Sequence, residues 1–408
     1  MKNTNRFLTI ILICAVFISL IPCSTSFATT ESLTETACSS VTEAITKDES
    51  KTDIPSTAAE KVTGYEQKLS DMAKNIDACI IYDITEDKLV FSKNSTKKIS
   101  IASTTKLITS LVALQNAGPE DIFTVGTELN LVHSNSSLCY IQKGHQLKLK
   151  TLIAGMMLPS GNDAAYTVAV NIAKKHSGNT EMTDAEATEY FCGLMNEYAA
   201  SLGCTGTHFV NPDGWDDPEH YSTADDMLII TKEALKNSTL TSVVSTYSRR
   251  FYFASGENIV WTSSNSLVNP SSKYYYAFAN GIKTGTTDDA GKCLIASAMK
   301  AGKQLVILAY NCTDVITKVD GKEITDETRF SKVKEMFEFV FNAPVKGDVD
   351  ISGDITAADA RLVLRASVGL EEKTAILLER GDADNNGKIT ASDARTILRA
   401  SVGLERIK

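Results

Sequence analysis

Three short motifs follow one another in this chain of 408 residues: Ser103-Thr-Thr-Lys106, Ser160-Gly-Asn162 and Lys283-Thr-Gly285. Each motif alone is weak, because small and basic residues recur by chance in any chain of this length. Together they indicate one chemistry, in which a lysine activates a serine nucleophile and a second basic strand holds an anionic substrate. The fold must therefore bring three distant segments into a single cleft.

Length and charge limit the remaining choices. A chain of 408 residues is too long for one ordinary domain, so two or three units are expected. The hydrophobic fraction of 43% is that of an ordinary globular protein with a sizeable core. The net charge of -9 argues against nucleic acid as a partner, because phosphate binding requires a basic face.

The first 60 residues read as targeting and spacer sequence. Residues 1–28 have a basic start, an apolar stretch and a small-residue end, which is typical of a secretory signal peptide. The apolar run is too short to favour the alternative of an uncleaved membrane anchor. Residues 29–60 are rich in Ser and Thr, which predicts a disordered spacer. We therefore expect a secreted protein.

Residues 61–341 are predicted to form one α/β (α+β) domain. The periodicity of apolar residues predicts a β-hairpin, a helix that follows Ser103, a series of further helices and three late strands. A closing amphipathic helix is expected to pack on the sheet. The predicted strands are 78–83, 89–92, 281–287, 293–299 and 305–310, and the predicted helices include 152–157, 164–173, 184–202, 223–235 and 330–340.

Ser103 and Lys106 carry the nucleophile chemistry. They are three residues apart at the start of a helix, so their side chains share one face. A helix N-terminus also offers free N–H groups to the oxyanion that forms when Ser103 attacks a carbonyl. Lys106 can accept a proton only when neutral, and a dry site with a second cation nearby, such as Lys283, would lower its pKa.

The two later motifs supply polar groups for the substrate. Lys283, with the hydroxyls of Thr284 and Thr286, would bind a carboxylate, and Gly285 leaves room for a substrate backbone. Ser160 and Asn162 are placed in a turn between helices, where their side chains would relay a proton and hold the substrate's peptide group.

With these motifs, residues 61–341 resemble the serine D-Ala-D-Ala carboxypeptidases, the low-mass penicillin-binding proteins. The resemblance extends to His208-Phe-Val-Asn-Pro-Asp-Gly-Trp215, His220-Tyr-Ser-Thr-Ala224 and Ala290-Gly-Lys-Cys-Leu294. It implies a β-lactamase/transpeptidase-like fold with a central antiparallel sheet and a helical subdomain. Gly161 in the second motif is common in this branch, but the C-terminal β domain and membrane-surface helix of many members are not evident here.

The same resemblance implies the roles of the site residues. Ser103 is the acylated nucleophile, Lys106 the general base, and Ser160 and Asn162 the second catalytic motif. Lys283 binds the terminal carboxylate of a peptidoglycan stem peptide, and the N–H groups of Ser103 and Thr286 form the oxyanion hole. The family implies covalent inhibition by β-lactams and no cofactor for catalysis.

Several alternatives stay open. A class A β-lactamase would need a Glu-x-x-Leu-Asn motif after Asn162, where this chain has Asn211-Pro-Asp-Gly instead. A Ser-His-Asp hydrolase lacks a convincing Gly-x-Ser-x-Gly, so structural roles are expected for all five histidines. The chain could also be a catalytically idle adaptor that binds cell wall. The nine cysteines show no metal-ligand spacing. A disulfide framework is open to the seven that follow the predicted signal peptide, but Cys79 and Cys293 read better as buried apolar residues.

After a short linker, 342–346, the chain repeats itself. Residues 359–371 return almost unchanged as 393–405. The first residue of each copy is also the last residue of a 12-residue loop. Each loop has oxygen-bearing side chains at fixed positions and Gly at the sixth, a pattern that favours Ca²⁺. The predicted side-chain ligands are Asp348, Asp350, Ser352, Asp359, Asp382, Asp384, Asn386 and Asp393, with backbone carbonyls from Asp354 and Lys388.

The two loops make residues 347–408 similar to a dockerin, a small all-α module that holds two structural Ca²⁺ ions and binds a cohesin on a scaffold protein. In that family the tenth and eleventh loop residues help to choose the partner. Here they are Ala357, Ala358, Ala391 and Ser392. The near-identical repeats predict two docking orientations related by a half-turn, and a protein that is secreted and held on a scaffold or at the cell surface.

Overall fold

The computed structural model describes residues 58–319, 322–343, 345–350, 352 and 354–407. The predicted signal peptide and residues 29–57 of the predicted spacer lie outside the described residues. In the part of the chain that is described, no helix has both the length and the apolarity needed to cross a membrane.

Helices and strands alternate irregularly along the chain. The helices are α1 (Ala58–Met72), α2 (Lys106–Asn116), α3 (Leu149–Met157), α4 (Asn162–Ser177), α5 (Asp184–Ser201), α6 (Ala224–Leu235), α7 (Ser238–Val244), α8 (Thr328–Phe341), α9 (Ala357–Ser367), α10 (Ala375–Gly381) and α11 (Ala391–Ser401). The strands are β1 (Ile76–Asp83), β2 (Lys88–Lys93), β3 (Ile122–Thr124), β4 (Gln146–Lys148), β5 (Ser248–Tyr252), β6 (Asn258–Thr262), β7 (Ala279–Thr287), β8 (Gly291–Lys300), β9 (Lys303–Cys312), β10 (Val315–Val319) and β11 (Lys322–Asp326).

A five-stranded antiparallel sheet forms the centre, in the order β2-β1-β9-β8-β7. Its middle strands are apolar on both faces because helices cover both faces. Ile80 and Leu308 belong to the larger core, shared with the helices between β2 and β7. Ile81 and Ile307, one position along each strand, belong to the core under α1 and α8. The predicted central antiparallel sheet and helical subdomain are confirmed.

The longer elements lie close to their predicted positions, and the short ones were missed. Thr183 and Glu186 make a capping box at the start of α5. At α6 the Thr223 hydroxyl accepts from Asp226 N–H, while the Asp226 carboxylate accepts from Gly206 N–H and the Thr207 hydroxyl. Three small hairpins, β3–β4, β5–β6 and β10–β11, were not predicted, because their strands are short or mostly exposed and lack an apolar run.

The C-terminal part of the chain is all-helical, as predicted. Helices α9 and α11 pack on each other around a small core that includes the fully buried Val363 and Ile397. Each of these helices starts with a capping box, formed by Thr356 with Asp359 and by Thr390 with Asp393. The last acidic residue of each loop therefore also fixes the first turn of the following helix.

Candidate active site

Ser103 lies in a 3-10 turn, Ala102–Thr105, that runs directly into α2. The predicted helix therefore begins three residues after the serine. Ser103 is half-buried, whereas Lys106, the first residue of α2, is fully buried. The turn still places both side chains on one face, and Lys106 Nζ lies 2.7 Å from Ser103 Oγ.

The amine of Lys106 has three close oxygen neighbours. Besides Ser103 Oγ, it donates to Asn162 Oδ1 and to the backbone carbonyl of Asp213, each at 2.7 Å. Burial lowers the pKa of Lys106 to about 8, while the carboxylates of Asp213 and Asp163 act in the opposite direction. About a tenth of the amine is therefore neutral at pH 7 and about half at pH 8, so this lysine can accept a proton.

The second and third motifs meet at Ser160. Lys283 Nζ donates to Ser160 Oγ and to the carbonyl of Thr284, both at 2.8 Å. Ser160, at φ 66°, ends the turn that leads through Gly161 into α4, so Ser160 and Asn162 are held on the same side as Lys106. Burial, and then the positive charges of Lys106 and Arg329, lower the pKa of Lys283. The three motifs predicted to converge are thus brought together.

Two glycines let the segments approach this closely. A Cβ on Gly285 would lie 2.9 Å from the Cβ of Ala102, beside the nucleophile. A Cβ on Gly214 would lie only 1.9 Å from the carbonyl oxygen of Ala102, and its φ of 85° already disfavours any side chain. The serine turn is therefore wedged between β7 and the loop at Gly214, which fixes the position of Ser103.

Strand β7 forms one wall, since it is an edge strand of the central sheet. The hydroxyl of Thr284 pairs with Ser264 Oγ at 2.5 Å, and Thr286, which is exposed, donates to the carbonyl of Gly285. Arg329, near the start of α8, donates to Thr286 Oγ1 at 2.9 Å and to Gly285 O at 3.0 Å. A second cation besides Lys283 therefore supports this wall.

The sequence analysis missed Arg329 and Asp213. Arg329 lies outside the three motifs and reaches them only because α8 begins beside β7. Asp213 lies on a loop held by Asn211, whose side chain bonds the N–H groups of Gly214 and Trp215 and the carbonyl of Trp215. The Asn211-Pro-Asp-Gly segment was noticed, but nothing in it indicated that a backbone carbonyl would face Lys106.

Cys79 and Cys293 are buried, as predicted, and the structural roles expected for the five histidines stay a prediction. Within the described ranges, no hydrogen bond joins a histidine to Ser103. His220 pairs with Thr105 at 2.8 Å, and burial lowers its pKa to about 4, so it is neutral. The six described cysteines are all free and buried, including Cys79 and Cys293, and burial raises the pKa of both to about 12. Cys38 lies outside the described residues.

The repeated loops each bring three carboxylates together. One oxygen from each of Asp348, Asp350 and Asp359 lies within 4.8 Å of the others, and the same holds for Asp382, Asp384 and Asp393. Such closely spaced carboxylates repel one another, and the hard oxygen donors suit Ca²⁺. The other predicted ligands lie in the same loops: Ser352 donates to the carbonyl of Asp354, Asn386 N–H bonds Asp382 and Asp384, and Lys388 N–H bonds Asn386.

Basic residues at equivalent positions of the two repeats cross between the loops. Arg380 precedes the second loop and contacts the first, donating to the backbone oxygen of Asp348 at 3.0 Å and its carboxylate at 3.3 Å. Lys346 precedes the first loop and donates to Asn385 in the second. Each repeat therefore contributes a positively charged group to the other's loop.

The predicted partner contacts lie at the starts of α9 and α11. Ala357, Ala391 and Ser392 are exposed, and Ala358 is partly exposed. The structure adds matched apolar residues that the sequence analysis missed, although their repetition 34 positions apart was a signal. These exposed pairs are Leu364 with Leu398, Val368 with Val402, and Leu370 with Leu404.

The fold and site can now be compared with known proteins. The crystal structure of the Streptomyces K15 DD-transpeptidase is similar with a TM-score of 0.57 and 27% sequence identity, covering 65% of this chain and 97% of that one. A putative penicillin-binding protein homolog from Mycobacterium tuberculosis, at 24% identity and a TM-score of 0.53, shares the fold. The fold is thus that of the DD-transpeptidases.

The profile of the D-alanyl-D-alanine carboxypeptidase family matches residues 65–313, more than half of the chain, and that of the dockerin type I domain matches residues 346–400. The chain belongs to the D-alanyl-D-alanine carboxypeptidase family and carries a C-terminal dockerin type I domain.

Three proteins with similar sequences are D-alanyl-D-alanine carboxypeptidases. That of Streptomyces sp. K15 is 30% identical over 226 residues, which cover 53% of this chain and 74% of the relative. DacF of Bacillus subtilis is 27% identical over 279 residues, 68% of this chain and 64% of the relative. DacC of Escherichia coli is 28% identical, covering 69% of this chain and 66% of the relative. The chain thus spans less than two thirds of the length of DacF and DacC.

Proposed function

We propose that this protein is a secreted serine-type D-Ala-D-Ala carboxypeptidase that acts on peptidoglycan stem peptides and is attached through its dockerin to a cohesin-bearing scaffold. The observation that carries the catalytic part is the contact of Lys106 Nζ with Ser103 Oγ at 2.7 Å, in a buried site that also contains Ser160 and Lys283. Family membership supports the choice of substrate.

In the proposed reaction, Ser103 Oγ attacks the carbonyl carbon of the penultimate D-Ala while neutral Lys106 takes the hydroxyl proton. The oxyanion is bound by the N–H groups of Ser103 and Thr286. Collapse breaks the C–N bond, and the proton held by Lys106 passes through Ser160, which is hydrogen-bonded to Lys283, to the leaving D-Ala amine, so Lys106 is neutral again. Lys106 then takes a proton from a water molecule, whose oxygen attacks the ester carbonyl. Collapse of this second intermediate breaks the C–O bond to Ser103, and the proton returns from Lys106 to Ser103 Oγ.

Substrate binding is assigned to the charges around β7. The terminal carboxylate would lie beside Lys283 and the hydroxyls of Thr284 and Thr286, and Arg329 adds positive charge through its contact with Thr286. Asn162, held by Lys106, would bond the peptide group of the substrate. Catalysis by these groups requires no cofactor.

The dockerin is proposed to bind two Ca²⁺ ions through the residues of its two loops. The ions would neutralise the clustered carboxylates and hold α9 and α11 in place, since Asp359 and Asp393 serve both the loops and the helix starts. The cohesin is expected on the exposed residues around Ala357, Ala358, Ala391 and Ser392 and on the matched apolar pairs, in either of two orientations.

Penicillin acylation tests the enzymatic proposal. Folded protein treated with penicillin should gain the mass of one inhibitor on the peptide that contains Ser103, and Ser103→Ala should gain none. Release of D-Ala from a D-Ala-D-Ala peptide should accompany it. An unmodified mass would contradict the proposal and favour an idle adaptor, whereas rapid turnover of the β-lactam would favour a β-lactamase.

The docking proposal is tested separately. Replacing Ala391 and Ser392 by bulky charged residues should leave cohesin binding intact, because the first repeat can still dock. Loss of binding with the first repeat untouched would contradict the two orientations. The matched variant at Ala357 and Ala358 controls for general damage.

A further inference from the structure

Asp213 is a buried acid whose carboxylate lacks the usual partners. Its backbone carbonyl accepts from Lys106 at 2.7 Å, and its Oδ1 receives only a long bond of 3.4 Å from Trp215 N–H. Its Oδ2 is buried and has no hydrogen-bond partner among the described residues, although Asp213 is 0% exposed. Burial of an unpaired carboxylate costs folding free energy, so its presence here requires an explanation.

The two buried lysines of the site explain why an acid is buried here. Lys106 and Lys283 place two amines in one buried site, where burial and then the charges of Lys106 and Arg329 lower the pKa of Lys283. The other buried acid beside Lys106, Asp163, is already satisfied, because its oxygens accept from the N–H groups of Cys139 and Ile141. Asp213 is therefore the buried acid near Lys106 whose negative charge is not already offset by hydrogen bonds to its side chain.

The further titratable groups around this acid come from four surrounding segments. On Lys106, the charge of Asp213 acts more strongly than those of Asp163 and Cys139. Burial raises the pKa of Asp213, and Lys106 opposes that rise more than the remaining titratable groups do. These groups are His133 beside Trp215, Tyr166 on α4, Cys192 on α5 and His220 beside Thr105.

We propose that Asp213 is a positioning residue of this reaction: its buried carboxylate offsets the charge of Lys106 and so sets the pH above which Ser103 is acylated. The inference rests on the proposed function, because it requires Ser103 acylation. A negative charge favours the protonated form of Lys106. Removing it lets Lys106 become neutral at lower pH, so acylation should begin at lower pH.

The test compares the pH dependence of penicillin acylation in the wild type and in Asp213→Asn. The rising limb should move to lower pH by about one unit in the variant. Asp217→Asn, an exposed acid on the same loop, should leave the limb in place. A limb that stays at the wild-type pH in Asp213→Asn overturns this inference alone, whereas a wild type that is never acylated overturns the proposed function as well.

A second variant separates charge from structure. Asp213→Glu keeps the charge and should keep the limb near its wild-type position, and a downward move as large as that of Asp213→Asn overturns the inference. Should Asp213→Asn fail to fold, carboxyl ¹³C NMR of the wild-type protein replaces it. The inference requires a buried aspartate in its carboxylate form where acylation begins, and a protonated form there overturns it.

Discussion

Lys283 Nζ lies 2.8 Å from Ser160 Oγ, although 123 positions separate the two residues in the chain. Ser160 is two residues from Asn162, whose side-chain oxygen accepts a hydrogen bond from Lys106. The basic strand and the nucleophile turn are therefore joined through one short segment. A substitution at Ser160 or Lys106 should therefore affect the proton transfers of the whole site.

Ser160→Ala should lower the rate of penicillin acylation by about 10²-fold, because the proposed relay through Ser160, which passes the proton from Lys106 to the leaving group, is lost. Stopped-flow measurement with a fluorescent penicillin gives the rate. Ser110→Ala is the matched control, since Ser110 is equally buried but bonds only the backbone of α2. Acylation at the wild-type rate in Ser160→Ala would remove the relay from the mechanism.

Lys106→Arg should abolish acylation, with a fall of at least ~10³-fold. A guanidinium stays protonated at all accessible pH values and cannot act as a base. Intact-mass kinetics with penicillin measures the loss, and a melting curve shows whether the variant is folded. A folded variant that still acylates faster with rising pH would point to another base.

The pKa of Lys106 predicts the pH profile of the wild type. This pKa is lowered to about 8, and the base is the neutral form, so the acylation rate should rise with pH and level off above about 8. Below that pH the protonated fraction grows, and the rate should fall roughly tenfold for each pH unit. Initial rates at constant ionic strength provide the measurement. A flat profile across this range would argue against Lys106 as the base.

Arg329→Gln should weaken the use of peptides that end in a carboxylate by about tenfold in kcat/KM, since the positive charge that Arg329 holds beside Thr286 is lost. The same peptide with a C-terminal amide should be affected less. Lys334→Gln, a partly exposed cation on the same helix, is the control. Equal losses for both peptides would mean that Arg329 stabilises β7 without sensing the carboxylate.

Asp350→Ala and Asp384→Ala, equivalent positions of the two loops, should each reduce the calcium stoichiometry from two to one in titration calorimetry. Bound Ca²⁺ stabilises the folded state, by about 2.7 kcal/mol at a hundredfold excess over Kd, so chelation should lower the Tm of the dockerin. Glu372→Ala, exposed between the loops, should change neither. Unchanged stoichiometry in both loop variants would refute the assignment.

Much of the site could be predicted because its residues are concentrated in short motifs. The groups that meet are Ser103, Lys106, Ser160, Asn162 and Lys283. Lys283 lies on the expected strand and Ser160 in the expected turn, whereas Ser103 lies in a 3-10 turn just before the expected helix. The central strands were also predictable, since strands covered on both faces read as continuous apolar runs.

The parts that escaped prediction depend on tertiary contacts. Arg329 reaches Thr286 only through the packing of α8 beside β7, and Asp213 faces Lys106 through a backbone carbonyl, which carries no residue-type signal. The hairpin β5–β6 is missing from the prediction because its exposed residues, such as Arg249 and Arg250, hide the alternation of a strand.

The crossed contacts of Arg380 and Lys346 mean that duplication made the two calcium loops mutually dependent. A single repeat expressed alone would lose the positive charge that the other repeat supplies to its loop, so one repeat should not fold as a stable half of the module. If the proposed attachment to a cohesin-bearing scaffold holds, removal of one repeat should abolish that attachment, with no weakened intermediate binding.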